Sequence, residues 1–256
     1  MIEHNVVHHQ DDDGIDNAAS SNTVVRHNIV YKAKATLPSG DGNGIKLGVG
    51  TSYNHTAQYN ILFDNAAFGL QINLEPDETQ GTFYHNLAYR NNKGISGYES
   101  NSFVDVRNNV AFRNIQLEGG NLIGDPKFVK LGLLDIDTDG NDNADIFDAC
   151  ESNLPNVKAT INCFKDATRQ IFSLDATSPA RNTGALITGV NDQICQIGEY
   201  QNCYLENAPD IGANEYNPGT TGCITLPELN IEIQKFVDGQ IGIVPVTNKV
   251  ISYLGC

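Results

Sequence analysis

The strongest constraint on the fold is a repeated pattern in which an asparagine precedes a short apolar segment. Successive asparagines of this column are 23, 32, 26 and 23 residues apart. A second column repeats as glycine followed by an apolar residue, at intervals of 30, 25 and 25 residues. A unit of this size cannot bury its apolar face alone, so successive units must stack. The two columns are Asn5, Asn28, Asn60, Asn86 and Asn109, and Gly14, Gly44, Gly69 and Gly94.

These repeats predict an all-β fold, a right-handed parallel β-helix with Ile, Val and Leu side chains in its interior. The stacked asparagines are expected to hydrogen-bond to one another and to the turn backbone. A leucine-rich repeat has a similar period, but its LxxLxLxxN pattern and its helix in each repeat are missing from the sequence. The longest interval contains residues 32–43, which we interpret as a loop inserted into one coil near the binding cleft.

Composition excludes several classes of partner. The net charge is -15, from 16 Lys and Arg against 31 Asp and Glu, which argues against nucleic acid or an anionic membrane as a partner. The sequence also lacks an apolar run long enough for a transmembrane span. An acidic polymer could still bind, provided that a cation lies between it and the protein.

The composition of the sequence changes twice along the chain, near residues 125 and 223. We predict β-helix coils over residues 1–124, a loop-rich, cysteine-bearing end of the β-helix over 125–222, and a short helical module over 223–256. Thr225 and Glu228 have capping-box spacing, and apolar residues follow at helical intervals. The tail is expected either to pack as a cap or to anchor the chain to a scaffold or cell surface, since it resembles dockerin-type modules.

All six cysteines lie in the last 107 residues, and they fall into three neighbouring pairs. An even, local set of this kind favours disulfides in an oxidising compartment, and therefore a secreted or cell-surface protein. Buried free thiols are the alternative. The pairs are Cys150 with Cys163, Cys195 with Cys203, and Cys223 with Cys256.

An acidic turn near the start of the chain is the strongest candidate for a site. Asp12, Asp13 and Asp16 surround Gly14, and converging carboxylate oxygens suit Ca²⁺. A solvated acidic turn that binds nothing is the alternative. Residues one coil apart lie about 4.8 Å from each other. If the glycine column is in register, Lys46 therefore lies beside Asp16, and Gln71 and Ser96 follow on the next coils.

Lys46 has two interpretations in this position. It forms an ion pair with Asp16, or it acts as a Brønsted base. A base must lose its proton, and a neighbouring Ca²⁺ disfavours the charged form of a lysine.

Four motifs, in this order, resemble polysaccharide lyase family 9, which includes pectate lyases. They are DDGID at 12–16, GNGIKLG at 42–48, NAAFGLQIN at 65–73 and YRNN at 89–92. The resemblance implies that Asp12, Asp13 and Asp16 bind Ca²⁺ and that Lys46 is the base. The implied reaction is β-elimination on a uronic-acid polysaccharide such as pectate. Gln71, Arg90 and Lys93 are candidate substrate contacts, and ordinary surface charge is the alternative for Arg90 and Lys93.

Members of that family have several coils before the DDGxD motif, and one of these coils supplies a further aspartate ligand. Only ten residues precede Asp11 here, and the N-terminus lacks the basic and apolar regions of a signal peptide. The resemblance therefore implies that the chain is truncated at its N-terminus.

A second acidic cluster begins like an EF-hand loop, with a glycine at the sixth position, but Ile146 stands where a bidentate Glu is expected. It resembles the calcium loops of thrombospondin type 3 repeats. We predict a structural calcium site there, with an unliganded acidic loop as the alternative. Its carboxylates are Asp135, Asp137, Asp139, Asp142 and Asp145.

The favoured function is thus calcium-dependent eliminative cleavage of a uronic-acid polysaccharide. The competing class is a non-catalytic surface β-helix that binds carbohydrate or serves as an adhesin. The NTD, GHG and RIK motifs of polygalacturonase-type hydrolases are absent from the sequence. The six histidines are scattered, and we expect them to be ordinary surface residues.

Overall fold

The structure is a computed structural model. The described residues are 1–17, 20–36, 40–48, 53–72, 81–96, 104–114, 125–128, 150, 157–188, 190–191, 193–194, 203–204 and 208–213. The chain divides into two compact units, Met1–Tyr216 and Asn217–Cys256, and all described residues belong to the first. The predicted helical tail and the second acidic cluster therefore lie outside the described residues.

The first sheet has five parallel strands, one from each successive repeat. Its strands pair in the order in which the repeats occur, so the chain returns to the same sheet once per coil. They are β1 (Ile2–Glu3), β4 (Val24–Arg26), β7 (His55–Gln58), β10 (Gly81–Tyr84) and β13 (Val104–Arg107).

The second sheet also has five parallel strands, and each begins directly after an asparagine of the repeated column. They are β2 (Val6–His8), β5 (Ile29–Tyr31), β8 (Ile61–Phe63), β11 (Leu87–Tyr89) and β14 (Val110–Phe112).

The third sheet has four parallel strands. The glycines of the column lie directly before the first two of these strands and within the other two. They are β3 (Ile15–Asn17), β6 (Ile45–Leu47), β9 (Phe68–Ile72) and β12 (Lys93–Ile95). Since each of the first four coils contributes one strand to each of the three sheets, the fold is a parallel β-helix, and the all-β prediction is confirmed. A separate parallel pair joins β15 (Gln193–Ile194) to β16 (Cys203–Tyr204).

The interior of the β-helix is filled by aliphatic residues that face one another from all three sheets. Val25, Ile45, Leu62, Leu70 and Phe83 have no measurable exposure to solvent. Adjacent coils place apolar side chains in line, because the parallel strands are in register without an offset, as in Ile15, Ile45 and Leu70. The predicted aliphatic core is confirmed.

The asparagine column forms a continuous hydrogen-bonded ladder, as predicted. In each step the side-chain oxygen of one asparagine accepts from the backbone N–H and the side-chain amide of the asparagine one coil below. The remaining amide hydrogens reach backbone carbonyls such as those of Val25 and Ala57. A second ladder, which the repeats did not reveal, joins Asn65, Asn91 and Asn114.

The glycine column exists because no Cβ fits there. A Cβ on Gly44 would lie 2.6 Å from the carbonyl oxygen of Gly69 and 2.8 Å from the side-chain nitrogen of Asn65. Both neighbours are held in place, the first by the sheet and the second by the ladder. Glycine at this corner thus allows the backbone of one coil to approach the next coil closely.

We expect Gly44→Ala to lower the free energy of unfolding by about 2 kcal/mol, because the neighbours of the new methyl group cannot move aside. Gly81→Ala is a matched control, since its nearest neighbour is the flexible end of Ile72 at 2.5 Å. It should cost less than Gly44→Ala in urea unfolding followed by circular dichroism. Equal losses for the two variants would contradict this explanation of the column.

A helix of 15 residues, α1 (Val157–Ile171), covers the outer face of the second sheet. Phe164, Ala167 and Ile171 recur at helical spacing, and they are buried against strand residues such as Tyr31 and Phe63. The sequence analysis described this region as loop-rich and did not identify the helix. Cys163 of α1 is joined to Cys150 by a disulfide, which is the first of the three predicted pairs; the other two pairs include residues outside the described ranges.

His85 and His55 are fully buried, so the expectation that all six histidines are surface residues is wrong for these two. The Nδ1–H of His85 donates to the carbonyl oxygen of Gly212, and its Nε2 accepts from the amides of Asn108 and Asn191. Both ring nitrogens are therefore satisfied in the neutral form, and burial lowers the pKa of His85 to about 4.

The lowered pKa of His85 makes stability depend on pH. Its contribution is complete above its ordinary value of 6.5, and it is lost as the pH falls towards about 4, because the unfolded chain takes up the proton first. We expect this one group to cost about 3 kcal/mol across that interval. Urea unfolding at several pH values should show a smaller loss on acidification in His85→Gln than in the wild-type protein. An identical loss in both would assign the effect to other groups.

Candidate active site

A row of polar side chains crosses the third sheet, and its order is the predicted one. The backbone register pairs Asp16 with Lys46, and Lys46 with Gln71. Ser96 follows on the next coil, where its hydroxyl accepts from the N–H of Ile72. Ile15 before Asp16 and the residues on both sides of Lys46 and Gln71 are buried in the core, so the row points away from the interior. The predicted adjacency of Asp16 and Lys46 is confirmed.

The ammonium of Lys46 is paired with two carboxylates. Its Nζ lies 3.4 Å from Oδ2 of Asp13, and it forms a shorter ion pair with Oδ2 of Asp41. The side chain of Asp13 is 2% exposed, that of Lys46 14% and that of Asp41 50%. The ion-pair alternative for Lys46 therefore involves these two aspartates, with Asp16 contributing charge from the neighbouring position.

Asp13 is fixed by the coil above it. Its Oδ1 accepts hydrogen bonds of 2.8 Å from both the backbone N–H and the side-chain amide of Asn43. Asn43 in turn accepts from the backbone N–H of Phe68. The second oxygen, Oδ2, is buried and has no hydrogen-bond partner among the described residues. A rigidly held carboxylate thus presents one unsatisfied oxygen beside Lys46.

Asp41 is a site residue that the sequence motifs did not identify. It lies at the end of the inserted loop, and its backbone N–H donates to Oδ1 of Asp12. The register that pairs Asp16 with Lys46 also brings Asp11 opposite Asp41 when it is continued backwards through the turn. That extension was the available signal. The same loop also contacts the acidic run through Thr36, whose hydroxyl donates to Asp11.

The pKa values of Asp16 and Lys46 are set by burial and by the neighbouring charges. Burial raises the pKa of Asp16 above its ordinary value; Lys46 opposes this shift, and Asp13, Asp12 and Asp41 add to it. For Lys46, burial alone lowers the pKa. The hydrogen bond to Asp41 and the charges of Asp13, Asp41 and Asp16 outweigh burial, so the pKa is raised overall. In this arrangement Lys46 is therefore an ammonium.

The donor set suits a hard divalent cation in its chemistry. Carboxylate oxygens are preferred ligands of Ca²⁺, and the buried Oδ2 of Asp13 has an ion pair with Lys46 but no hydrogen-bond partner among the described residues. Within the described ranges, no three Asp, Glu, His or Cys side chains already converge as a metal site. The aspartates are thus of the kind that binds Ca²⁺. In this structure the ammonium of Lys46 is the positive charge that balances Asp13 and Asp41.

The three predicted substrate contacts differ in their surroundings. Gln71 lies in the polar row, and its buried Oε1 has no hydrogen-bond partner in the part of the chain that the structure describes. The Nζ of Lys93 lies 4.8 Å from the centre of the Phe68 ring in the adjacent strand.

Arg90 lies at the corner between the second and third sheets. It forms a two-pronged ion pair with Asp64, in which Nε donates to Oδ1 over 2.7 Å. Burial raises the pKa of Asp64, and the hydrogen bond from Arg90 partly offsets this effect. The described partner of Arg90 is therefore Asp64 rather than a residue of the polar row.

Comparisons with known proteins agree with this architecture. A family model described as a right-handed β-helix region matches residues 1–124. The crystal structure of a pectate lyase, Pel9A, aligns with 83% of this chain at a TM-score of 0.52. The chain has a pectate lyase-like, right-handed β-helix fold.

The similarity of this pectate lyase-like β-helix to the solved enzyme is one of fold, because the sequence identity is 21%. The chain spans half the length of that structure. No curated protein matches the sequence. Among the described residues, no helix has both the length and the apolar character needed to cross a membrane.

Proposed function

We propose that the chain is a calcium-dependent lyase that cleaves a uronic-acid polysaccharide such as pectate by β-elimination. The observation that carries the proposal is the row of Asp16, Lys46 and Gln71 on the outer face of the third sheet, with Asp13 and Asp41 around the lysine. Its occurrence on a pectate lyase-like β-helix supports this chemistry over others.

Substrate charge explains why a cation belongs in this site. The chain carries a net charge of -15 and would repel a polyuronate. Asp12, Asp13 and Asp16 would hold Ca²⁺, and the unsatisfied, buried Oδ2 of Asp13 supports that role. When bound, Ca²⁺ would neutralise the C6 carboxylate of the substrate, acidify its C5 proton and favour the neutral form of the Lys46 amine.

Lys46 acts as the base in this proposal. Its neutral Nζ takes the C5 proton, and the electron pair of the C5–H bond forms a double bond between C5 and C4. The bond from C4 to the glycosidic oxygen breaks, and the departing oxygen takes a proton from solvent. Lys46 then returns its proton to solvent. The side chain is mostly buried, which limits access of water to the amine.

Gln71, Lys93 and Arg90 are proposed to bind sugar units on either side of the reacting one. Gln71 is adjacent to Lys46 and has a free acceptor for a sugar hydroxyl. Lys93 and the ring of Phe68 together offer a positive charge and an apolar face. Arg90, whose guanidinium is held in place by Asp64, would offer its positive charge to a substrate carboxylate.

A secreted or cell-surface location is part of the proposal, since polyuronates are extracellular polymers. The disulfide between Cys150 and Cys163 supports it, because such bonds persist in oxidising compartments. The acidic segment around Asp139 is proposed as a structural calcium site and residues 223–256 as an anchoring module; both lie outside the described residues.

The test is incubation of the 256-residue chain with polygalacturonate and Ca²⁺, followed by ultraviolet absorbance of the unsaturated product. We expect product to accumulate with Ca²⁺, to stop on chelation and to resume when Ca²⁺ is restored. A neutral glucan serves as the control substrate. Binding of polygalacturonate without product would reject the lyase and support the alternative, a carbohydrate-binding or adhesin-like β-helix.

A further inference from the structure

The ammonium of Lys46 lies between two carboxylates that come from different coils. Asp13 is in the turn before β3, and Asp41 is in the loop before β6. The Nζ of Lys46 lies 3.4 Å from Oδ2 of Asp13 and closer to Oδ2 of Asp41. A positive charge at this point thus joins two coils of the β-helix.

The two carboxylates differ in exposure and in hydrogen bonding. Asp13 is anchored through Oδ1 by Asn43, so its Oδ2 is held at a fixed position. That oxygen is buried in a side chain that is only 2% exposed, and among the described residues it has no hydrogen-bond donor. The side chain of Asp41 is half exposed, so its carboxylate has room to move when one cation replaces another. One fixed and one adjustable oxygen suit exchange between cations of different size.

We propose that Asp41 joins Asp13 in the proposed Ca²⁺ site, where the two form a single cation seat that the ammonium of Lys46 and a bound Ca²⁺ occupy in alternation. Asp41 is then a cation ligand that neither the sequence motifs nor the resemblance assigned. The inference rests on the proposed function for the identity of the divalent ion. A Ca²⁺ held by these carboxylates would take the place of the Nζ of Lys46, and the amine would then be available to the substrate.

Charge explains why the two occupants exclude each other. An ammonium and a divalent cation that share the same carboxylate oxygens would lie a few ångströms apart, and like charges at such a distance repel strongly in a partly buried site. Without Lys46, the two aspartates would have no positive neighbour at their shared point. Removing the lysine therefore strengthens the attraction of the seat for Ca²⁺.

Calorimetric titration of the full chain with CaCl₂ tests the proposal without any activity measurement. We expect Lys46→Met to bind Ca²⁺ roughly tenfold more tightly than the wild-type protein, within the usual range of coupling between sites. Lys46→Arg retains a permanent positive charge and should bind no more tightly than the wild-type protein. Equal affinity in Lys46→Met and Lys46→Arg would overturn the competition.

The role of Asp41 is tested in the Lys46→Met background, where the competing ammonium is gone. Adding Asp41→Asn should weaken Ca²⁺ binding roughly tenfold. Asp105→Asn is the matched control, because Asp105 is a similarly exposed carboxylate, at 45% against 50%, on the first sheet. A loss that is the same for both aspartates would show a general effect of net charge and reject Asp41 as a ligand.

A thermal measurement covers variants that lose stability. The rise in melting temperature on adding Ca²⁺ should be larger for Lys46→Met than for Lys46→Arg, because tighter binding stabilises the folded state further. Equal rises would count against the shared seat. If product formation fails while the affinity difference holds, the proposed function is wrong and the seat stands. If product forms and the affinities are equal, the reverse applies.

Discussion

Lys46→Met is expected to lower the rate of polygalacturonate cleavage about a thousandfold, because it removes the group that takes the C5 proton. The row of Asp16, Lys46 and Gln71 offers no second basic side chain at the same position among the described residues. Methionine has nearly the length of lysine and keeps the packing of the buried stem. Initial rates of unsaturated product, at saturating substrate and Ca²⁺, provide the measurement.

Two further variants separate loss of the base from other effects. Lys46→Arg should be as inactive as Lys46→Met, because a guanidinium does not lose its proton at ordinary pH. Lys127→Met makes the same chemical change at an exposed position outside the third sheet and should leave the rate unchanged. A Lys46→Met protein as active as the wild-type protein would remove the lysine from the mechanism.

Asn86→Leu is expected to lower the free energy of unfolding by about 4 kcal/mol, the sum of several buried polar groups left without partners. The oxygen of Asn86 accepts from the backbone N–H and the amide of Asn60. Its own amide donates to the carbonyl oxygen of Ala57 and to Asn109. Leucine has a similar volume, so the change removes hydrogen bonds without opening a cavity.

Asn5→Leu provides the control for the ladder, since Asn5 belongs to the same column but is exposed. Water can replace the lost partners there, and the cost should stay below about 1 kcal/mol. Urea unfolding followed by circular dichroism compares the two variants. Similar costs at positions 5 and 86 would mean that the ladder contributes less than its geometry suggests.

The sequence could predict the polar row because parallel strands in register carry a column from one coil to the next. Once Gly14 and Gly44 are aligned, the second residue after each glycine must fall on the same face, so Asp16 and Lys46 become neighbours. Asp41 escaped this reasoning because it lies in the inserted loop before the glycine of the repeat, and the register was not extended backwards from Gly44 into that loop. Which carboxylate pairs with Lys46 depends on the path of that loop and on the hydrogen bonds of Asp13.

The helix α1 was missed for a different reason. Its region was judged by its loop-forming composition, although the strands of the second sheet already held a signal. Three of them, Ile29–Tyr31, Ile61–Phe63 and Leu87–Tyr89, are apolar at every position, and all their residues are buried. A strand that is apolar on both faces needs a cover on its outer side. That requirement predicts an apolar element packed outside the coils, which α1 supplies.

Mass spectrometry of the reaction products tests the central claim most directly. The wild-type chain, incubated with polygalacturonate and Ca²⁺, should release oligouronides that carry a 4,5-unsaturated sugar at the newly formed end. Those fragments are lighter by one water than the corresponding hydrolysis products. Fragments with the mass of hydrolysis products, or polymer that remains intact with Ca²⁺ present, would contradict elimination at the Lys46 site.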